Sequence, residues 1–156
     1  MKNKGFTLVE LLIVIAIGLV IVGGSLFSYS RLTGRSYLGA RTYELIQTIR
    51  QAQLNSVARL NDDRWGVHID PDIGGNNDNF VLFKGVAYAS RNSAYDTVTN
   101  LPDSVSISLI SLNDAGADII FNKTTGVPAQ YGTITLTDNQ GGSNIININS
   151  YGIVSL

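Results

Sequence analysis

The stretch Lys4-Gly5-Phe6-Thr7-Leu8-Val9-Glu10, followed from Leu11 to Val22 by LLIVIAIGLVIV, decides how this chain is read. Between Phe6 and Phe27 the only charged residue is Glu10. At about 1.5 Å per residue a helix over this segment is roughly 33 Å long, matching a hydrocarbon core of about 30 Å. In lipid a helix satisfies its own backbone hydrogen bonds. Three readings compete. A core helix of a domain this small keeps a polar face, and this segment has none. A secretory signal peptide would use Lys2 and Lys4 as its basic end and a cut after Val22-Gly23-Gly24, before Ser25. A retained membrane anchor is the third. Lys2 and Lys4 precede the run and Arg31, Arg35 and Arg41 follow it, so positive charge does not orient it. Glu10 separates the last two readings. A carboxylate inside an apolar helix is costly and is a functional candidate by default. A signal peptide has no use for it. Near a helix N-terminus it meets the positive end of the helix dipole and any free amine there.

The rest of the composition narrows the function classes. The 156 residues suit one domain plus an appendage. Apolar residues make up 44% and charged residues 15%, which excludes a disordered charged tail protein. There is no cysteine, so disulfide frameworks, cysteine metal sites and thiol chemistry are excluded. His68 is the single histidine, which excludes histidine-rich metal sites and relays. The net charge of −1 gives no global pull toward nucleic acid. The charge is unevenly spread: residues 1–64 carry a net +4 and residues 65–156 a net −5.

Beyond the apolar run the period changes. Leu38, Leu45, Ile49, Ala52, Ser56 and Leu60 recur at helical spacing with Ile46 and Val57 beside them, and Arg41, Glu44, Thr48, Gln51, Asn55 and Arg59 line the opposite face. The spacing predicts an amphipathic helix, ended by Asn61-Asp62-Asp63. Arg31, Arg35, Arg41, Arg50 and Arg59 lie at mixed angles with no aromatic interleaving, an arrangement that argues against a nucleic-acid stripe. After Arg64 every signal is strand or turn. Trp65, Val67 and Ile69 alternate over Trp65–Asp70, and Phe80–Phe83 reads as a strand covered on both sides. Val105, Ile107 and Leu109 alternate until the phase slips at Ile110, which predicts a bulge. Asp118–Phe121, Thr133–Thr137, Asn144–Asn149 and Ile153–Leu156 are the further expected strands, and Tyr88–Asp103 is expected as a long unpatterned loop. One helix followed by many short strands means α+β, an antiparallel sheet packed on a helix.

Few residues suggest chemistry. Asp70, Asp72 and Asp78, in Asp70-Pro71-Asp72-Ile73-Gly74-Gly75-Asn76-Asn77-Asp78, have the oxygen donors and spacing of a calcium loop. The EF-hand pattern fails, because its closing glutamate would fall at Val81 and Gly74 replaces a donor; a hairpin loop looks the same. His68 reads as an ordinary strand residue. No nucleophile elbow, phosphate loop or paired-glutamate motif is present, and the only glutamates are Glu10 and Glu44. The expectation is a protein without cofactor and without enzymatic activity.

Lys4-Gly5-Phe6-Thr7-Leu8-Val9-Glu10 and the apolar run resemble the N-terminus of type IV prepilins and type II secretion pseudopilins: a short basic leader ending in glycine, then phenylalanine, then glutamate as the fifth residue from that phenylalanine. The resemblance implies cleavage between Gly5 and Phe6 by a membrane-bound prepilin peptidase, N-methylation of Phe6, and an assembly role for Glu10. It implies a pilin-like fold with a cleaved leader at 1–5, a transmembrane and assembly helix at 6–34, and a globular domain at 35–156 built of a helix at 35–62 and a β-rich part at 65–156. It places the chain in the bacterial inner membrane, single-pass with its body outside the cytoplasm, and then in a pilus or pseudopilus. The implied partners are other pilin or pseudopilin subunits, the peptidase, the inner-membrane assembly machinery and lipid, with nucleic acid disfavoured. Many major pilins carry a proline well inside this helix, where Gly23-Gly24-Ser25 stands here. The body resembles the minor pseudopilin class in a helix ending near Ala58-Arg59, Trp65-Gly66-Val67, Phe80–Gly85, Ile120-Phe121 with Gly126, and Tyr151-Gly152-Ile153-Val154. The function implied is a structural subunit of a type IV pilus or type II secretion pseudopilus. The alternatives are a β-rich binding module released after Gly24 by ordinary signal peptidase, and a DNA-binding minor pilin of natural transformation.

Overall fold

The unbroken apolar run and the amphipathic stretch after it both favour helix, and the longest element is α1, Leu8–Val57. The structure is a computed structural model that describes residues 7–72 and 78–156, with side chains outside 24–36. The chain divides into two units, Met1–Thr33 and Gly34–Leu156. In the first unit the described large apolar side chains of α1, from Leu8 to Val22, are exposed on every face. Leu8, Val9 and Ile21 point roughly 100–140° apart around the helix axis, and they are 78%, 66% and 67% exposed.

In the second unit α1 buries one face. Leu38, Leu45, Ile46, Ile49, Ala52 and Ser56 are buried, as the helical spacing expects. Asn55, expected on the outer face, is buried too, and its side-chain oxygen accepts from Gln51 Nε2 at 2.7 Å. The helix ends at Val57, short of the expected 62. Arg59, Asn61 and Asp62 all have positive φ, and Leu60–Asp62 forms a 3₁₀ turn. Asn and Asp tolerate the left-handed region better than most residues, so Asn61-Asp62 stops the helix through backbone conformation several residues early. Val57 and Leu60, expected on the buried face, are consequently exposed. Ser56 holds the turn: its C=O accepts from the N–H groups of Arg59 and Thr124, and its Oγ accepts from Trp65 N–H at 2.8 Å.

Eight strands follow: β1 Trp65–Asp70, β2 Asn79–Lys84, β3 Thr97–Asn100, β4 Val105–Leu112, β5 Asp118–Phe121, β6 Gly132–Asp138, β7 Ser143–Ile148 and β8 Val154–Ser155. They form two four-stranded antiparallel sheets, β3-β2-β1-β5 and β4-β6-β7-β8, where a single sheet was expected. Both sheets contribute to one core with the second part of α1. Trp65, Val67, Ile69 and Phe80 lie in it, and Val81, Phe83 and Ile120 form a smaller cluster with Tyr88. β1 and β2 are thus covered on both faces, which explains the continuous apolar run at Phe80–Phe83. Gly66 permits the close approach of β1, β5 and β2: a Cβ there would lie 2.8 Å from both Ile119 O and Phe83 Cζ. The expected bulge in β4 lies between Ile107 and Leu109. The extra residue turns Leu109 outward, 57% exposed, and brings Leu112 into the core. The expected loop Tyr88–Asp103 contains two 3₁₀ turns and β3, and Leu101 is buried at its end. Its β-branched Thr97-Val98-Thr99 suits a strand, but four residues are too short to show a period.

Candidate processing and assembly site

Gly5 and Phe6 lie outside the described residues. The site is visible from Thr7, the residue before α1. Thr7 N–H and Thr7 Oγ1 donate to Glu10 Oε2 at 3.4 and 3.3 Å, and Glu10 N–H donates to Thr7 Oγ1 at 3.3 Å. This is a capping box, in which a helix-preceding Thr and a Glu three residues on satisfy each other's backbone donors. The sequence carries its signature, Thr7-x-x-Glu10 before an apolar run. That signal was available beside the dipole argument and assigns Glu10 a definite local partner. The first turn therefore holds the carboxylate at the helix N-terminus, where the orphan N–H groups and the dipole both favour negative charge.

From Glu10 onward the helix offers no further polar group until Ser25. The side chains from Leu11 to Ile15 and at Ile17 and Leu19 are all more than half exposed. Exposed apolar surface of this extent generally marks contact with lipid or with other protein. Among the described residues no helix is long and apolar enough to cross a membrane. The apolar run continues to Phe27, and its side chains from residue 24 lie outside the described set.

Residues 1–26 match the family model of the prokaryotic N-terminal methylation motif. The match takes in Gly5, Phe6, Thr7 and Glu10 together with the apolar run, and it supports the prepilin and pseudopilin family. An α+β body with an N-terminal helix and antiparallel sheets is compatible with a pilin-like fold. No curated protein and no solved structure matches the chain.

The remaining candidates are placed as follows. Asp70, Asp72 and Asp78 border a loop whose residues 73–77 lie outside the described set. Asp78 Oδ1 accepts from Asp72 N–H at 2.9 Å, Asp78 Oδ2 accepts from Ile107 N–H, and Asp70 Oδ2 accepts from Asn79 Nδ2 at 3.4 Å. Asp78 thus holds Asp72 with one oxygen and Ile107 of β4 with the other. Among the described residues no group of three potential metal ligands converges. Arg41 pairs with Glu44, Arg50 donates to Val154 C=O, and Arg59 donates to Thr124 Oγ1. Each of these arginines is engaged within the chain, and Arg31 and Arg35 have no described side chains.

The sequence missed what surrounds His68. Its Nδ1 lies 2.6 Å from Asp118 Oδ1, and its ring stacks on Tyr88 at 3.7 Å with a 7° interplanar angle. The Arg91 guanidinium lies 3.6 Å from the Tyr88 ring centroid and so covers the other face. Arg91 Nε is also 2.7 Å from Asp96, whose hydrogen bond raises the Arg91 pKa above its ordinary value. Tyr88 N–H donates to the second Asp118 oxygen at 3.2 Å. The arrangement clamps the segment after β2 onto β1 and β5. Among the described residues no hydroxyl or thiol hydrogen-bonds to His68, so the His–Asp pair has no nucleophile in its reach. No sequence spacing connects His68, Tyr88, Arg91 and Asp118; antiparallel pairing of β1 with β5 brings His68 opposite Asp118.

Proposed function

We propose that this chain is a structural, non-catalytic subunit of a type IV pilus or type II secretion pseudopilus. Its precursor sits in the bacterial inner membrane through the first part of α1. A prepilin peptidase cuts between Gly5 and Phe6 and methylates the Phe6 amine. The mature chain then joins other pilin or pseudopilin subunits through the inner-membrane assembly machinery. The observation that carries this reading is the methylation motif over residues 1–26. The all-round exposure of its apolar side chains supports it, because such a helix needs lipid or neighbouring helices around it. Within the family we favour the minor pseudopilin class, on the order of elements after α1: a Trp-led first strand, a central Phe-rich strand, and a terminal Tyr151-Gly152-Ile153 turn.

Glu10 has two roles in this reading. In the precursor it closes the capping box with Thr7. In the filament it pairs with the Phe6 amine of a neighbouring subunit, which N-methylation leaves charged. The test is the intact mass of the mature protein. A terminus at N-methyl-Phe6 supports the reading; a terminus at Ser25 identifies a secreted β-rich module cut by ordinary signal peptidase.

A further inference from the structure

At the end of α1 the sequence and the backbone disagree. Ala58, Arg59 and Leu60 are strong helix formers, and Leu60 continues the buried row of Ile49, Ala52 and Ser56. The helix nevertheless stops at Val57. Among the described residues five other than glycine have a positive φ, and four of them meet here: Arg59 at 53°, Asn61 at 56° and Asp62 at 52°, with Thr124 at 72° in the turn after β5. A left-handed helix end ordinarily falls to glycine. Asn and Asp tolerate it, Arg has no such advantage, and a β-branched Thr is an outlier there. Strain of this kind persists only where the surroundings over-determine it.

The surroundings are the turn after β5 and the start of β1. Lys123 Nζ donates to Asp62 C=O and to Asp62 Oδ1, both at 2.7 Å, and Arg59 Nε donates to Thr124 Oγ1 at 2.8 Å. Ser56 C=O accepts from Arg59 and Thr124 N–H at 3.2 and 3.1 Å, in place of Leu60, the donor that an unbroken helix brings to it. Trp65 Nε1 donates to Leu60 C=O at 3.0 Å. The short helix end is thus held from outside, by Lys123, Thr124 and Trp65. Its fastening is open to the surface: Thr124 is exposed, and the Asp62 side chain is 86% exposed.

We propose that residues 58–62 form a two-state joint, with Lys123 and Thr124 as the catch that selects between the states. In the caught state α1 is short and its end left-handed. In the released state α1 runs one turn further, through Asn61. Four more helical residues advance the chain by about 6 Å. From Asn61 to Trp65 there are four chain steps, which reach about 13 Å when extended. Trp65 therefore keeps both its bonds to Ser56 Oγ while α1 lengthens. Release exchanges the left-handed residues and the catch for helical hydrogen bonds, and returns Leu60 to the buried row. Because the Lys123–Asp62 pair is exposed, an anionic group on a neighbouring molecule that draws Lys123 away converts contact there into movement of the α1 end.

The experiment uses the full chain in detergent, isotopically labelled, with residues 57–65 followed by NMR. Trp65, the single tryptophan, reports the joint through its indole N–H. The critical variant is Lys123→Ala with Thr124→Gly. It removes both side chains of the catch and keeps the turn, since glycine adopts the 72° φ of this position freely. The expected result is helical Cα shifts at Arg59 and Asn61, a displaced Trp65 indole resonance, and amide exchange at Leu60 and Asn61 slowed at least about tenfold. Adding Asn61→Gly should restore the wild-type shifts, because glycine favours the left-handed conformation and disfavours helix. A helix end that had only loosened would show coil shifts and faster exchange, and glycine would not restore it. Should the double variant fail to fold, Asn61→Ala, which leaves the catch side chains in place and favours helix, is expected to give the same helical shifts. Coil or wild-type shifts at Arg59 and Asn61 in the double variant, or in Asn61→Ala where the double variant is unfolded, would overturn the proposal. The result is independent of the N-terminal mass, so this inference and the filament reading fail separately.

Discussion

Replacing Glu10 by glutamine separates the two roles given to that residue. Glutamine at the third helical position can still complete a capping box with Thr7, because its side-chain oxygen accepts the same Thr7 N–H. It cannot neutralise a neighbour's amine. The three contacts that make the box are 3.3–3.4 Å long. Loss of such a cap costs about 1 kcal/mol, which is about fivefold in an equilibrium. An N-terminal ammonium left unpaired in an apolar filament core costs on the order of 3–5 kcal/mol, more than a hundredfold. Three variants then sort the terms. Thr7→Ala breaks the box and keeps the charge; Glu10→Gln keeps the box and removes the charge; Glu10→Leu removes both. Each is co-expressed with wild type, and the ratio of variant to wild type in sheared filaments is divided by the same ratio in membranes, by mass spectrometry. The expected incorporation is reduced about fivefold or less for Thr7→Ala and by well over tenfold for both Glu10 variants, with cleavage at Gly5 unimpaired. Normal incorporation of Glu10→Gln beside a fivefold loss for Glu10→Leu would refute the intersubunit pair and leave Glu10 as a capping residue only.

Five further outcomes are expected. Gly5→Glu should leave the leader attached, seen as precursor mass in membranes, because the scissile bond needs a small residue before it. Deleting residues 1–33 should give a soluble folded monomer, since the core residues from Leu38 onward all lie in the second unit; a 62–156 fragment should aggregate on gel filtration, because it loses Leu45, Ile49 and Ala52 from that core. Ser56→Ala should lower the melting temperature of the 34–156 fragment by at least about 3 °C, since Trp65 N–H loses its acceptor in a buried site at a cost of about 1–3 kcal/mol. Lys123→Ala should destabilise the fold near neutral pH, and the difference from wild type should narrow as pH falls below 3.8, leaving the part due to the Lys123 hydrogen bond to Asp62 C=O. The hydrogen bond from Lys123 lowers the Asp62 pKa from 3.8, so that pairing stabilises above the unfolded value and is lost as the carboxylate protonates.

The parts of the fold legible in the sequence are those set by periodicity within one element. The α1 face from Leu38 to Ser56, the alternation in β1 and β6, and the slip in β4 each follow from side chains a few residues apart. What the sequence hid depends on partners far along the chain. β3 is a strand because β2 lies beside it; its four residues show no period of their own. The division into two sheets is a matter of which strands pair, and alternation says only which side of a strand is apolar. The end of α1 was misplaced because Leu60 continues the helical spacing, while Arg59 and Asn61 have already turned left-handed. Of the candidate site, the Glu10 signal was legible and its Thr7 partner was overlooked, although the four-residue pattern was in plain view. The His68–Tyr88–Arg91 stack was not legible at all, since it forms only when β1, β5 and the segment after β2 meet.

The capping box also bears on how a carboxylate is stored in an apolar helix. An unpartnered carboxylate at membrane depth is expensive, and Thr7 supplies two donors for Glu10 Oε2 from within the same turn. At 3.3 and 3.4 Å both bonds are long against the usual range for N–H and O–H donors. A charged amine approaching the same oxygen makes a shorter and stronger bond, near 2.8 Å in typical charge-assisted pairs. Thr7 is therefore suited to hold Glu10 until a better donor arrives, and to yield it afterwards without breaking the helix, because the box breaks at a cost of only about 1 kcal/mol. On this argument Thr7→Ser, which keeps both donors, should assemble as wild type. Thr7→Val, which keeps the shape and loses the hydroxyl, should lower the amount of stable precursor in membranes before it lowers incorporation per precursor. Pulse-labelled precursor counted against labelled filament gives both quantities. A Thr7→Val precursor as abundant as wild type would show that the box contributes nothing to storage.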